Sequence, residues 1–449
     1  MRKHFKDQCF ETIQGLEELH SEIEKGLSTG SVDQVAELLE LCQQAAIGIG
    51  TLIEKSEGEG TEAVSQLEKY CDYTYELHQK VIASSEVPLN VAKAMKNLRT
   101  FIQKTVNELN NTIPTTKEIV FLPYKASMWD SLETVWKKFD EDPNCTALVL
   151  PIPYFDKNPD GSFARMYYEK DQFPENVPTY SFEAYDFEGR HPDAIYIHNP
   201  YDDMNYVTSI EPFFYSENLK KYTDQLVYIP YFVLWGLEPG QPCPIERARD
   251  YALTKGVINA DRVILQSEEV KVAYVQALTE YFGEETRSHW EAKIEGTGSP
   301  KIEKVKTLRK EDYSIPDTWK NVIAKPDGTS KKVIFYNTSL KAFLADTNAM
   351  LHKIQRTLQF FEEEKDEVVL WWRPHPLFKS TVSSMHPEAW EVYSALVDDY
   401  IKKGWGIYDD SPDLDRAIAY SDAYYGDGSS VVELYTHTGK PVMIQNTSV

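Results

Sequence analysis

The motif Arg-Pro-His-Pro at residues 373–376 has the residue types and spacing to bind an anion. It follows the apolar run VVLWW, which predicts a buried strand. Because proline fixes φ and has no amide hydrogen, the two prolines stiffen the loop and present Arg373 and His375 in a fixed geometry. A guanidinium beside an imidazole suits a ligand such as a diphosphate. The alternative is a structural turn in which Arg373 pairs with a carboxylate.

Hydroxyl and acidic side chains follow another predicted strand, in the segment DAYYGDGSSVVELY at residues 422–435. Asp427, Ser429 and Ser430 lie at a strand-to-helix turn, where helix amide groups and serine hydroxyls can bind phosphate oxygens. The helix that follows contains Glu433. Ordinary capping of this helix by one of the two serines is the alternative. The segment has neither the Gly-Lys-Ser/Thr of a P-loop nor a GxGxxG motif.

Two further predicted strands end in polar residues. Thr338 and Ser339 follow the run KVIFYN, and they could contact a ligand or serve only as turn residues. His198 follows the run AIYI, with Asp202 and Asp203 close in sequence. A histidine near a carboxylate can act as a general base, whereas a loop histidine among solvated aspartates is the alternative. Because this spacing has no metal-specific signature, we predict no metal site there.

The first 112 residues predict helices. Apolar residues recur at helical spacing in residues 35–52 and 64–81. Breaks rich in glycine, serine or proline occur at residues 26–30, 56–61 and 84–88. Four antiparallel helices are the simplest assembly of these segments. No group of polar residues converges there, so we predict a bundle over residues 1–112 that packs or oligomerises the protein.

Short apolar strands alternate with helical segments after residue 117, which is typical of parallel α/β sheets. A first series predicts a Rossmann-like domain over residues 113–240, with a loop excursion at 155–192. A second series begins with the strand RVILQS and predicts another such domain over residues 241–449. Ligands of these sheets bind at the carboxyl ends of the strands, which is where the polar clusters lie.

Composition and charge restrict the class of protein. The chain has 449 residues, a formal net charge of −24 and 42% hydrophobic residues, so it can form a sizeable core and is not expected to bind nucleic acid. Its 5 cysteines form no CxxC pair, which suits a reducing cytosol. We find no apolar signal segment and no window near the ~20 apolar residues of a spanning helix. We expect a cytoplasmic protein, free or peripheral at the inner face of the membrane.

Several elements, taken in order, resemble the CDP-glycerol glycerophosphotransferase family of teichoic-acid polymerases and primases. They are GSPKIE at 298–303, FYNTS at 335–339, RPHP at 373–376 and the segment 407–444. The resemblance covers residues 250–445 well and 117–235 loosely, and it does not extend to the first 112. It implies a GT-B fold, in which two Rossmann-like domains face each other across a cleft and the second binds the nucleotide donor. Family members transfer glycerol phosphate or a related polyol phosphate from a CDP-activated donor, release CMP, and need no cofactor or obligatory metal.

The resemblance also implies roles for particular residues and partners. Arg373 and His375 would contact the donor diphosphate or the leaving phosphate, and His198 would accept the proton of the attacking hydroxyl. The donor site would comprise Thr338, Ser339, Asp427, Ser429, Ser430 and Glu433. The implied partners are a CDP-activated donor, a polyol-phosphate or glycan acceptor of cell-wall or capsule synthesis, and a membrane or protein partner for the helical region.

Two alternatives stay open. The chain could be a GT-B glycosyltransferase that uses a CMP- or UDP-activated sugar, since similar His-Pro and Ser-Ser elements occur in some sialyl- and capsule transferases. It could instead be a non-catalytic binding or scaffold protein with this fold, whose working part is the helical region. Nucleotide affinity distinguishes the enzymes from the scaffold, and donor preference distinguishes the two enzymes.

Overall fold

Four long helices form the N-terminal region of the computed structural model, which describes residues 1–83, 90–158, 160–234, 236, 241–375, 378–411 and 413–445. They are α1 (Lys3–Thr29), α2 (Val32–Glu57), α3 (Glu62–Ala83) and α4 (Val91–Asn111). Helix α1 contacts α2 and α4, and α3 contacts α2 and α4, so the four close into a bundle. The predicted break at 84–88 lies outside the described residues.

The bundle forms because each helix buries one apolar face. On α2 the buried residues recur at intervals of three and four, which places them on a single stripe. They are Val35, Leu38, Leu39, Cys42, Ala46, Ile49, Gly50 and Ile53. Short connections between successive helices favour antiparallel neighbours, and the predicted helical region is confirmed.

The next part of the chain forms a parallel sheet of six strands with the order β2-β1-β5-β7-β8-β9. An excursion beside it forms a small antiparallel sheet with the order β4-β3-β6. The elements are β1 (Lys117–Leu122), α5 (Glu133–Asp140), β2 (Cys145–Val149), β3 (Tyr154–Lys157), β4 (Phe163–Tyr167), α6 (Phe187–Arg190), β5 (Ala194–Ile197), β6 (Thr208–Ile210), α7 (Ser216–Leu219), β7 (Leu226–Tyr228), α8 (Ile245–Ala252), α9 (Lys255–Asn259), β8 (Arg262–Ile264), α10 (Glu268–Phe282), α11 (Arg287–Lys293) and β9 (Ile294–Glu295).

The last part forms a second parallel sheet, of five strands, with the order β12-β11-β10-β13-β14. Its elements are α12 (Pro300–Thr307), α13 (Asp317–Ile323), β10 (Lys332–Thr338), α14 (Leu340–Ala345), α15 (Thr347–Glu363), β11 (Val368–Pro374), α16 (Phe378–Met385), α17 (Pro387–Lys403), β12 (Ile407–Tyr408), α18 (Leu414–Tyr420), β13 (Ala423–Gly426), α19 (Ser430–Thr436) and β14 (Val442–Ile444). Short 3₁₀ helices lie at Ala126–Ser131, Lys170–Gln172, Phe182–Ala184, Pro212–Phe214, Lys220–Tyr222, Glu284–Thr286 and Lys310–Asp312.

Both parallel sheets are covered by helices on both faces, which explains their continuous apolar runs. Along β10, Val333 and Phe335 face one core, which includes residues of α12, α18 and α19. The alternate residue Tyr336 faces a second core, formed with α15, α16 and α17. This period of two is the ordinary geometry of a strand. The predicted fold class is confirmed in its architecture, since two Rossmann-like parts, each with a parallel α/β sheet, follow an all-α region.

One assignment differs from the sequence analysis. The strand at Arg262–Ile264 was expected to open the second domain, yet β8 pairs with β7, and β9 pairs with β8, in the first sheet. The first sheet therefore continues past residue 241, and the second begins only with β10. The domain boundaries are corrected for these two strands. Among the described helices, none is long and apolar enough to cross a membrane.

Candidate functional site

The loops at the carboxyl ends of the two parallel sheets line one cleft of about 510 Å³. Trp129 and Asp130 line it after β1, and Asp410 and Asp413 line it after β12. Lys304 of α12 also lines the cleft. Because ligands of parallel α/β sheets bind at the carboxyl ends of strands, the cleft has the position of a ligand site. Carboxylates outnumber cations among its described lining residues.

Buried ion pairs join the two walls of this cleft. The Nζ of Lys304 lies 2.5 Å from Glu133 of α5 and 2.7 Å from Asp415 of α18. Lys301, on the same helix, lies 2.7 Å from Asp130. Burial opposes the charge of Lys304, but the carboxylates of Asp415 and Glu133 outweigh it and raise its pKa. The Lys304 ammonium group therefore bridges the first sheet's loops to the second sheet's helices.

Asn337 joins three strand ends of the second sheet. Its side-chain amide donates to the carbonyl of Arg373 at 3.0 Å, and its Oδ1 accepts from the hydroxyl of Ser429 at 3.3 Å. Its backbone carbonyl accepts from the amide of Asp427 at 3.1 Å. Gly426 permits this contact, because a Cβ there would lie 2.3 Å from the Asn337 carbonyl oxygen. Arg373 at the end of β11 and the serine turn are thereby held side by side.

Arg373 is buried and paired with a carboxylate. Its side chain is 4% exposed, and its Nη1 lies 3.5 Å from both the carbonyl oxygen and Oδ1 of Asp409. Asp409 also accepts from the indole of Trp371 at 3.1 Å and pairs with Arg416 at 3.2 Å. Burial lowers the pKa of the Arg373 guanidinium, while Asp409 opposes that shift. Asp409 therefore fixes the arginine at the base of the loop, and contact with an anion stays a prediction.

His375 leaves the sheet beside the end of β10. Its side chain is exposed, and its backbone amide donates to the carbonyl of Thr338 at 3.2 Å. Desolvation and the Arg373 guanidinium lower the pKa of its imidazole. A lowered pKa keeps the ring neutral near pH 7, so it can accept a proton. The Thr338 hydroxyl is fully buried and accepts from the indole of Trp372 at 3.3 Å, and Pro376 lies outside the described residues.

Ser339 and Asp427 organise the turn between β10 and α14. The Ser339 hydroxyl caps α14 by accepting from the amide of Ala342 at 3.1 Å. The amide of Ser339 donates to Asp427 Oδ2 at 2.7 Å, and Lys353 of α15 donates to Asp427 Oδ1 at 2.9 Å. Asp427 is 1% exposed. Its charge is thus satisfied within the protein, as buried charges are.

Ser429 and Ser430, the serine turn, begin α19, and the polar side chains of this region contact different partners. The Ser429 hydroxyl accepts from the amide of Val431 at 3.3 Å, which is the capping interaction of the alternative interpretation. Ser430 is exposed. Glu433 accepts from the amide of Gly236 at 3.2 Å, in the segment between β7 and α8. Burial raises the pKa of Glu433.

His198 lies at the carboxyl edge of the first sheet, and its side chain is fully buried. Its Nε2 accepts from the amide of Tyr124 at 3.1 Å. Its Nδ1 lies 2.9 Å from the hydroxyl of Ser131, which itself donates to the carbonyl of Met128, so Nδ1 carries the hydrogen. Burial lowers the pKa of the ring to about 3. The base role of His198 stays a prediction, and it requires that Nε2 first release the Tyr124 amide.

The contacts of Asn337 and Thr338 bring most of the predicted residues to one edge of the second sheet. These are Arg373, His375, Thr338, Ser339, Asp427, Ser429 and Ser430. His198 belongs to the other sheet, and Glu433 contacts Gly236, in the segment between β7 and α8 of the first α/β part. Sequence reasoning missed Lys304, Lys353 and Asp409, which pair with these elements. Their only signal was a charged residue near a predicted strand end or on a predicted helix.

No protein-family model and no curated protein matches the sequence. The chain has weak structural likeness to several solved proteins. A putative UDP-N-acetylglucosamine 2-epimerase from Listeria monocytogenes is 14% identical, with 74% of this chain and 80% of that chain covered and a TM-score of 0.42. The Methanocaldococcus jannaschii UDP-GlcNAc 2-epimerase in complex with UDP-GlcNAc and UDP is 11% identical, with 72% of this chain and 82% of that chain covered and a TM-score of 0.41. A variant of the wall teichoic acid polymerase TagF is 16% identical, with 85% of this chain and 79% of that chain covered and a TM-score of 0.39.

Proposed function

We propose that this protein is a transferase that moves glycerol phosphate, or a related polyol phosphate, from a CDP-activated donor to a hydroxyl of a cell-surface polymer or its precursor. The observation that carries the proposal is the junction at Asn337, where Arg373 at the end of β11 and the serine turn lie side by side. This junction is at the carboxyl edge of a parallel sheet, the usual place for a nucleotide. Imidazole, guanidinium and hydroxyl groups of this kind suit phosphate oxygens.

In the proposed reaction, the acceptor hydroxyl attacks the phosphorus atom that carries the glycerol group. A new P–O bond forms, the bridging P–O bond of the diphosphate breaks, and CMP leaves with the bonding electrons. The hydroxyl proton passes to an imidazole. Arg373 and the hydroxyls of Ser429 and Ser430 stabilise the charge on the transferred and leaving phosphates.

Two observations support assigning the proton transfer to His375 rather than to His198. The His375 ring is exposed and its pKa is lowered only by partial desolvation and the nearby Arg373. The side chain of His198 is fully buried, and both of its ring nitrogens are hydrogen-bonded inside the first domain. In this proposal His198 holds the loop after β1 through the Tyr124 amide and thereby shapes the cleft.

The test of the proposal is nucleotide binding followed by product release. Purified protein is titrated with CMP, CDP, UDP and CDP-glycerol, and its melting temperature is recorded, because a ligand of the native state raises that temperature. We expect cytidine nucleotides to raise it more than UDP. CMP release from CDP-glycerol, with a polyol-phosphate acceptor, is then followed in the wild type and His375→Ala. We expect the variant to lose at least about 100-fold in rate if the imidazole transfers the proton.

A matched control is His289→Ala, which removes an exposed histidine of α11. This variant should keep both the nucleotide response and the rate. A preference for UDP would replace the phosphotransferase with a sugar transferase. The absence of any nucleotide response would favour the non-catalytic scaffold and overturn the proposal. A normal rate in His375→Ala, together with a large loss in His198→Gln, would return the base role to His198.

A further inference from the structure

The first helix meets the first α/β domain at two histidines and an aspartate. His4 lies in the first turn of α1, His191 follows α6, and Asp224 precedes β7. One possible ligand atom of each side chain lies within 4.8 Å of those of the other two. The imidazole rings of His4 and His191 stack with their centroids 4.7 Å apart. These three side chains come from parts of the chain that only folding brings together.

We propose that His4, His191 and Asp224 form a Zn²⁺ site that fastens α1 to the first α/β domain. Imidazole nitrogen and carboxylate oxygen are both zinc ligands, at bond lengths of ~2.0–2.2 Å. Two such ligands of a tetrahedral ion lie about 3.3 Å apart at those bond lengths. The Nε2 of His191 already lies 3.2 Å from Oδ1 of Asp224. Only His4 has to approach. Its side chain is half-buried, and its Nε2 lies 3.0 Å from Nε2 of Gln8, so binding of the ion through Nε2 exchanges that hydrogen bond for a metal bond.

The backbone at His191 supports a role for its side chain. Its φ is 40° and its ψ is 72°, in the left-handed region that glycine commonly occupies after a helix. A histidine in that conformation is strained, whereas a glycine would not be. The Arg2 guanidinium donates to the His191 carbonyl at 2.9 Å and holds the residue against α1. The protein therefore has an imidazole at a position where the backbone conformation is unfavourable for any side chain.

A buried carboxylate beside the cluster has an oxygen without a partner among the described residues. Asp193, two residues after His191, is 8% exposed. Its Oδ2 accepts from the amide of Glu118 at 2.8 Å, while its buried Oδ1 has no hydrogen-bond partner. A cation at the cluster would interact favourably with this charge.

Two cations lie near the cluster, the Arg2 guanidinium at the His191 carbonyl and the Lys3 ammonium group at Asp224. The Nζ of Lys3 lies 3.8 Å from Oδ2 of Asp224, but it also lies 3.3 Å from Asp7 and is about half exposed. Lys3 can therefore turn to Asp7 when Asp224 binds metal.

The test is a zinc titration of the full chain after removal of metal with a chelator and dialysis. Isothermal calorimetry with ZnCl₂ at pH 7.5 should show one ion bound per chain and a higher melting temperature. Co²⁺ should give the visible absorption of a tetrahedral site with nitrogen and oxygen ligands. His4→Ala and Asp224→Asn should each weaken zinc binding at least about tenfold, because loss of a direct ligand costs no less than loss of a supporting residue.

The control variant is His352→Ala, which removes an exposed histidine of α15 in the second α/β part. It should bind zinc like the wild type. Circular dichroism of all variants checks that they fold. Unchanged binding in both His4→Ala and Asp224→Asn would place the ion elsewhere and overturn the proposal. No zinc binding by the wild type, or an equal response to Mg²⁺, would overturn it as well.

Discussion

Gly426 occupies a position that tolerates no side chain. Its φ is 153°, and a Cβ would lie 2.3 Å from the Asn337 carbonyl oxygen. We expect Gly426→Ala to lower the free energy of unfolding by about 3 kcal/mol, because strain and displacement of β10 both contribute. Gly439→Ala is the control, since its φ is 73° but no atom lies within 4 Å of the added Cβ. It should cost only about 1 kcal/mol. Urea denaturation compares the two, and equal losses would contradict a steric role for Gly426.

Asp409 is a buried carboxylate whose charge can be removed with little change in shape. It accepts hydrogen bonds from Trp371 and Arg416 and faces Arg373, and it is 1% exposed. Asp409→Asn leaves the buried guanidinium of Arg373 without its counter-charge, so we expect a loss of about 3 kcal/mol. The exposed neighbour Asp410 provides the control, and Asp410→Asn should cost less than about 0.5 kcal/mol. Denaturation at two salt concentrations measures the free energy of unfolding of both variants. A small loss in Asp409→Asn would show that the ion pair of Asp409 with Arg373 is dispensable for stability.

The helical bundle should weaken in mild acid because of His20. Its ring is fully buried, bonds to the Tyr70 hydroxyl at 2.7 Å, and has its pKa lowered by burial from 6.5 to about 4. Between those values the unfolded chain binds a proton that the folded chain does not, so stability falls as the pH falls. From pH 7.5 to pH 5.0 we expect His20 to cost the bundle about 2 kcal/mol.

The variant His20→Gln keeps a polar partner for Tyr70 and cannot take up the proton. Its urea midpoint should therefore change less with pH than that of the wild type. Because His198 is also buried and contributes with the same sign in another domain, hydrogen exchange of α1 and α3 amides locates the effect. Equal pH dependence of α1 exchange in the two proteins would exclude His20 as its source.

Helices and strands could be predicted from the sequence where the pattern of buried apolar residues alone determines the type of element. Helix α2 follows from its spacing of apolar residues, and β10 and β11 follow from runs buried on both faces. The sheet to which β8 belongs was not predictable, because short buried strands of either sheet have the same apolar composition. Most of the polar residues expected at strand ends do meet at Asn337. Their partners Asp409 and Lys353 were missed because charged residues give no sequence signal of which distant group they face.

Lys304 pairs with carboxylates of both α/β parts, so we predict that it helps to set their arrangement. Lys304→Met removes the ammonium group that pairs with Glu133 and Asp415. It takes away the cation that Asp415 pairs with and leaves Glu133 with Lys137 alone. We expect a loss of about 3 kcal/mol and a wider cleft. Lys306→Met changes an exposed lysine of the same helix and should leave both properties unchanged. Denaturation measures the stability of each variant, and small-angle scattering reports whether the cleft widens. Identical scattering from the two variants would show that Lys304 does not set the width of the cleft.

The strand order of the second sheet sets when the Asn337 junction can form during synthesis. Its central strand β10 is made early in that sheet, but it pairs with β13, and Asn337 contacts Ser429 near the end of the chain. The bundle and the six strands of the first sheet are complete by residue 295. Since domains fold in order as they leave the ribosome, the nascent chain carries a folded bundle and first sheet while the Asn337 junction is still unformed. A ribosome-bound chain that stops short of β13 therefore lacks this junction altogether.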